Sequence, residues 1–192
     1  MWAKRAMTGA LSGIVRHWGI LAAAAFAWAA AGCGTAPPPA VRLDVVDHAG
    51  LMARVAAHRG KVVVLDCWSL SCPPCVREFP GLVRLAAAHP DRVACLSLSF
   101  DFEGLGTVAE AAAPVRDFLR SVGAERVENL LSGEEADVMY GKLELASVPA
   151  VFVWRPDGSL ARRLDDEDAR RRLGRAFTYE DVAVEVRDCL AR

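Results

Sequence analysis

Apolar positions along this chain follow two patterns, short continuous or alternating runs and helical spacing, and the two take turns. Residues 41–46 alternate apolar with polar side chains, which predicts an edge strand. Residues 51–58 carry helical spacing that stops near Gly60. Residues 61–67 form a continuous apolar run, the pattern of a parallel strand covered on both faces. Helical spacing resumes at Val76, Phe79, Leu82, Val83 and Ala86 and ends at His89-Pro90. Pro80 lies inside that helix and predicts a kink, because it removes one backbone donor and crowds the preceding turn. Residues 93–100 read as a second buried strand.

The polar, glycine-containing stretch 101–107 is a loop. Helical patterning over 108–122 contains Pro114, which predicts either two helical pieces or a helix starting near that proline. A short strand at 127–131 and a helix at 134–143 follow. Residues 150–154 are a strong strand, Arg155-Pro156-Asp157-Gly158 is a turn, and 160–164 returns as the hairpin partner. The charge-dense run 165–172 reads as a solvated loop or helix face. Thr178 with Asp181 three residues on starts the last helix, 179–190, as a capping box. This order gives an α/β protein with a central mixed β-sheet flanked by helices.

The first 32 residues have the parts of an export signal. Lys4, Arg5 and Arg16 are basic, and residues 20–31 are an apolar core too short for an ordinary spanning helix of about 20 residues. Ala30-Ala31-Gly32-Cys33 resembles a lipobox with Cys33 as the lipidated residue, although Ala30 stands where leucine is usual. The alternatives are an A-x-A site for ordinary cleavage and an uncleaved anchor; all three place the domain outside the cytoplasm, where disulfides persist. Residues 33–40 form a short proline-rich spacer, stiff and extended, suited to holding a domain (41–192) off a membrane surface. Removing residues 1–32 takes away three bases and no acids, leaving 20 basic and 24 acidic residues. No basic patch interleaves with aromatics, so nothing points to nucleic acid.

The chemistry is concentrated at Cys72-Pro73-Pro74-Cys75, where a buried strand turns into a helix. A C-x-x-C at such a junction reads as a redox pair. The helix N-terminus offers partial positive charge and unpaired N–H groups that stabilise a thiolate. Cys72, expected to be exposed, is the nucleophile, and Cys75, one turn in, resolves the mixed disulfide. A purely structural staple is a poor alternative, since closing so small a loop stabilises little. Asp66 ends an apolar strand beside the motif; buried there it would have a raised pKa, and its bland reading is a strand-end acid that is simply solvated. Glu78 lies one helical turn after Cys75, and its bland reading is an ordinary surface carboxylate. Cys67 and Cys95 read as small hydrophobes on strands, and a Cys95–Cys189 bridge stays open.

Asp66, Trp68, Cys72, Pro74 and Cys75 resemble the buried acid, tryptophan and C-x-P-C motif of the thioredoxin superfamily. The tail Cys75-x-x-Glu78-x-Pro80-x-Leu82 is similar to the exported TlpA/ResA branch, and Ser71 stands where the family has a second tryptophan, leaving a more polar rim. The resemblance implies a thioredoxin fold with an inserted strand and helix between the second βα unit and the cis-proline hairpin, here within 108–143. It implies that Asp66 assists proton transfer to Cys75 and that Glu78 lies near the thiols. It also implies that Val148-Pro149 is the cis-proline site where a partner's strand pairs, with Trp68, Pro73 and Pro74 shaping the same docking surface. The function implied is an exported thiol–disulfide oxidoreductase, without cofactor or metal, on the periplasmic side of the cell envelope. It would reduce disulfides of client proteins, such as the haem-site cysteines of apocytochrome c, and be restored by a membrane electron donor.

Two rivals differ in class. A thiol peroxidase is disfavoured because no Thr-x-x-Cys accompanies Cys72. A metal carrier would use Cys67, Cys72 and Cys75, but a structural zinc site usually takes four ligands and no histidine is suggestively spaced. The direction of electron flow can be read from the intervening residues: Pro73 and Pro74 lack N–H groups, so Cys72 loses two donors and the nearest left in the motif is that of Cys75. A less stabilised thiolate makes a reductant, with a potential nearer about −270 mV than about −120 mV.

Overall fold

The computed structural model describes residues 40–191. The export signal, Cys33 and nearly all of the proline-rich spacer lie outside them. The elements run β1 (Asp44–Val46), α1 (His48–Ala57), β2 (Val62–Trp68), α2 (Pro73–Glu78), α3 (Pro80–Ala88), β3 (Val93–Ser99), α4 (Val108–Ser121), β4 (Glu128–Ser132), α5 (Ala136–Lys142), β5 (Ala150–Trp154), β6 (Leu160–Leu164), α6 (Asp166–Leu173) and α7 (Tyr179–Leu190). Among the described residues, no helix is long and apolar enough to cross a membrane.

One six-stranded mixed sheet has the order β1-β4-β3-β2-β5-β6. β1, β4, β3 and β2 are parallel neighbours, whereas β5 runs antiparallel to both β2 and β6. All seven residues of β2 and of β3 are buried, as their continuous apolar runs require of central strands covered on both faces. Leu51 and Val55 of α1 and Met139 of α5 pack with Leu65, Cys67 and Leu96 on one face. Phe79 and Leu82, with Val115 and Leu119 of α4 and Val182 and Val186 of α7, pack with Val62, Val64 and Trp68 on the other. Strand β4 extends the parallel half of the sheet and, among the described residues, is the one strand that pairs with β1.

Two expectations change. Strand β1 is shorter than 41–46, because its pairing with β4 spans only Asp44–Val46. Helix α4 is continuous through Pro114 rather than split or started there. A Thr107–Glu110 capping box fixes its start: Glu110 N–H donates to Thr107 Oγ1 (3.2 Å) and Thr107 N–H donates to Glu110 Oε2 (2.7 Å). Pro114 deprives only the Glu110 carbonyl of its helical donor, and both residues are exposed, so water can satisfy that oxygen. At Pro80, by contrast, the expected break occurs: α2 and α3 meet at Phe79, which keeps helical dihedrals (φ −51°, ψ −37°).

Candidate active site

Strand β2 delivers Asp66 and Trp68, and a tight turn then swings the chain into α2. Asp101 holds that turn. Its carboxylate accepts from Leu70 N–H (2.9 Å) and from the hydroxyls of Ser69 (2.9 Å) and Ser99 (2.7 Å). Ser71 is tied into the same turn, its hydroxyl 2.8 Å from that of Ser69. The turn ends at Cys72, the N-cap of α2, with extended dihedrals (φ −104°, ψ 97°). Pro73 and Pro74 fill the first two helical positions, where a missing N–H costs nothing and φ is already helical.

Cys72 and Cys75 are joined in a disulfide. The Cys75 N–H points to Cys72 Sγ at 3.2 Å, so the one donor the prolines leave in the motif is the one that reaches that sulfur. Cys72 is only 9% exposed, against the expectation of an open nucleophile. Its N-cap geometry folds the side chain back over the first turn, where it joins the cluster containing Trp68 and Phe79.

Asp66 lies within β2, 3% exposed, and its Oδ2 accepts a 2.6 Å hydrogen bond from the Tyr179 hydroxyl. Burial pushes its pKa up to about 7, and the Tyr179 bond offsets part of that rise. The same burial, beside an acid, holds the Tyr179 phenol well above its ordinary value. Glu78 is half-buried, and its Oε2 accepts the backbone N–H of Tyr179 at 3.3 Å. Tyr179 opens α7, so that N–H is one of the helix's unpaired first-turn donors. The capping box read from Thr178 and Asp181 is present and fixes where α7 begins.

Gly81 lets the tyrosine reach this position. A Cβ there would lie 2.2 Å from the Tyr179 Cβ, so any larger residue in α3 would push α7 away. The sequence reading missed Tyr179, Gly81 and Asp101. Of these, only Tyr179 carried a local signal, its place directly after the N-cap of the last helix.

Asp66, Cys75, Pro74, Glu78, Val148 and Pro149 line one cavity of about 150 Å³, together with Tyr179 and Phe177. The Val148–Pro149 peptide is cis. Trp68 and Pro73 are not part of this cavity. Trp68 is fully buried, its ring 4.9 Å from both Phe79 and Phe118, and its Nε1 has no hydrogen-bond partner. Pro73 is exposed. Cys67 packs on the other sheet face from Cys72 and Cys75, so the three sulfurs of the metal-carrier alternative do not converge. Among the described residues, no group of three or more histidine, cysteine or acidic side chains is placed to hold a metal ion. Cys95 carries a free thiol, so the Cys95–Cys189 bridge is not formed, and burial pushes that thiol up to about 12.

No family model and no curated protein matches the chain. Solved structures do. A secreted Mycobacterium tuberculosis disulfide oxidoreductase, homologous to E. coli DsbE, is 23% identical, with 69% of this chain and 85% of that one covered at a TM-score of 0.51. A Chlorobium tepidum protein provisionally assigned as thiol:disulfide interchange protein DsbE is 17% identical over 71% of this chain and 84% of that one, TM-score 0.53. The exposed lipoprotein thioredoxin Etrx1 of Streptococcus pneumoniae is 13% identical over 70% and 89%, TM-score 0.53. These likenesses show the fold: with its central six-stranded mixed sheet flanked by helices, the chain is a thioredoxin-fold protein.

Proposed function

We propose that this chain is an exported thiol–disulfide oxidoreductase that reduces disulfides of client proteins. The observation that carries the reading is the Cys72–Cys75 disulfide at the start of α2, with Cys75 lining one cavity with Asp66, Glu78 and the cis-proline. In the reduced protein, Cys72 attacks a client disulfide and forms a mixed disulfide, expelling the first client sulfur as a thiolate. Cys75 then attacks Cys72 Sγ and expels the second. Two electrons and two protons pass to the client, and the Cys72–Cys75 disulfide is left behind. A membrane electron donor restores the dithiol. A client strand would pair with the backbone beside the cis Val148–Pro149 peptide, and apocytochrome c haem-site cysteines are candidate clients, both through the family resemblance.

The direction is reductive. Pro73 and Pro74 supply no N–H, and the Cys75 N–H is the motif donor at Cys72 Sγ. Equilibration with a glutathione redox series tests this. We expect a potential nearer about −270 mV than about −120 mV, and a value above roughly −180 mV would show that the double proline does not set the poise. A Cys75→Ser variant should accumulate client mixed disulfides on Cys72; their absence from cell-envelope extracts would sink the oxidoreductase reading.

A basic and then apolar N-terminal segment ending in the lipobox-like Ala30-Ala31-Gly32-Cys33 supports a domain held outside the cytoplasm by a lipid on Cys33. Full-length protein should partition into detergent and Cys33→Ala should not; equal partitioning of the two would remove the lipid anchor.

A further inference from the structure

Two carboxylates line the cavity of Cys75, and one residue more than a hundred positions further along the chain bonds to both. The Tyr179 hydroxyl donates to Asp66 at 2.6 Å, and the Tyr179 backbone N–H donates to Glu78 at 3.3 Å. Both contacts are anchored: the ring by its close approach to Gly81, the backbone by the Thr178–Asp181 capping box. We propose that Tyr179 is a positioning residue for the resolving half-reaction, fixing Asp66 and Glu78 so that both line the cavity of Cys75 and Asp66 takes the Cys75 proton. The inference rests on the oxidoreductase reading and deepens it.

The step balances as follows. In the mixed disulfide, the Cys75 S–H proton passes to the Asp66 carboxylate, directly or through water in the cavity, which has room for several molecules. The Cys75 sulfur lone pair forms the bond to Cys72 Sγ, and the bond from Cys72 to the client sulfur breaks. The client sulfur leaves with that electron pair and takes a proton from solvent, and Asp66 returns its proton to the cavity. A hydroxyl donor suits this task. Tyr179 stabilises the carboxylate without carrying charge into a buried site, and its own raised pKa keeps it a donor at neutral pH. The ionisable groups around Asp66 are Tyr179 of α7, Cys95 of β3 and its own neighbour Cys67, with Cys75, Arg77 and Glu78 of α2 and Asp166 of α6 on the shared cavity.

The test is a pre-steady-state release assay on the reduced full chain with oxidised glutathione. The first glutathione reports attack by Cys72 and the second reports resolution by Cys75; Cys75→Ser, which abolishes the second phase, identifies it. In the wild type, the second phase should quicken through pH about 7. Tyr179→Phe should move that midpoint upward by about one unit or more and slow the second phase at pH 7 by roughly fivefold to tenfold, since one unit is a tenfold change in the ratio of ionised to protonated acid. Asp66→Asn should flatten this limb, and Tyr179→Phe added to it should move nothing further. Fluorotyrosine at Tyr179, a stronger donor that keeps the fold, should move the midpoint down and decides the matter if the phenylalanine variant does not fold. Wild-type release with unmoved profiles in the Tyr179 variants, or a Tyr179→Phe shift that persists in Asp66→Asn, overturns the inference alone. Absence of release from the wild type overturns the oxidoreductase reading and this inference with it.

Discussion

Asp66 and Asp181 both bond at the first turn of α7, yet their surroundings drive them in opposite directions. Asp66 is buried and receives a single hydrogen bond from a neutral hydroxyl, so loss of solvent dominates and its pKa rises to about 7. Asp181 lies near the surface in a bidentate pair with Arg175 (2.8 Å each) and also accepts from Thr178 N–H at 2.8 Å. The guanidinium and the backbone donor outweigh its partial burial, and its pKa falls to about 2. The same side chain thus has its pKa raised to about 7 in one place and lowered to about 2 in the other. What separates them is access to water and a full positive charge.

This difference fixes the sign of each group's contribution to stability. Between pH 4 and 7, the folded protein holds a proton on Asp66 that the unfolded chain has released, so Asp66 costs stability as pH rises through that window. The largest expected effect follows: relative to Asp66→Asn, the wild type should lose up to about 4 kcal/mol between pH 4 and 8, with no relative change below pH 4. Chemical denaturation across that range measures it, and a flat difference would mean that Asp66 is hydrated in solution. Asp181 works the other way. Its stabilisation is present above pH 4 and is lost as pH falls through 2. Asp181→Asn should therefore cost about 1 to 2 kcal/mol at pH 7, a figure reduced because Arg175 is half exposed, and the cost should vanish at the acid end. An equal cost at pH 7 and pH 2 would assign it to the capping hydrogen bonds alone. The smallest effect is that of salt. Raising ionic strength from about 0.1 M to 1 M should weaken the Arg175–Asp181 latch by a few tenths of a kcal/mol, leaving the tyrosine–carboxylate bond unchanged. Double-mutant cycles at the two concentrations resolve it, and a salt-sensitive Tyr179–Asp66 coupling would break the contrast.

Much of this site was legible before any coordinates because its signals are local. The run from Val62 to Trp68, the cysteine spacing and the prolines after Cys72 each act within a few residues, and the strand, N-cap and helix follow from them. Pro149 required a family resemblance, since an X–Pro bond alone does not announce the cis form. The helix start at Tyr179 was readable, but its bond to Asp66 was not, because that partner is 113 positions away and the fit depends on a glycine in a different helix. Pro114 misled for the opposite reason: a local helix-breaking rule was overridden by a strong cap seven residues earlier and by solvent at the freed carbonyl. The burial of Cys72 was equally hidden, because an N-cap side chain turns inward or outward according to what packs over it.

Gly81 and Tyr179 also set an order of events during the protein's own manufacture. A chain is made from its N-terminus, so Asp66, Cys72 and Cys75 all exist long before the tyrosine that must sit against α3. Contacts so far apart in sequence close late, after shorter loops have formed. Helix α7 brings the donors that Asp66 and Glu78 accept, so a chain cut short before residue 178 keeps both cysteines of the pair and loses the two hydrogen bonds of Tyr179.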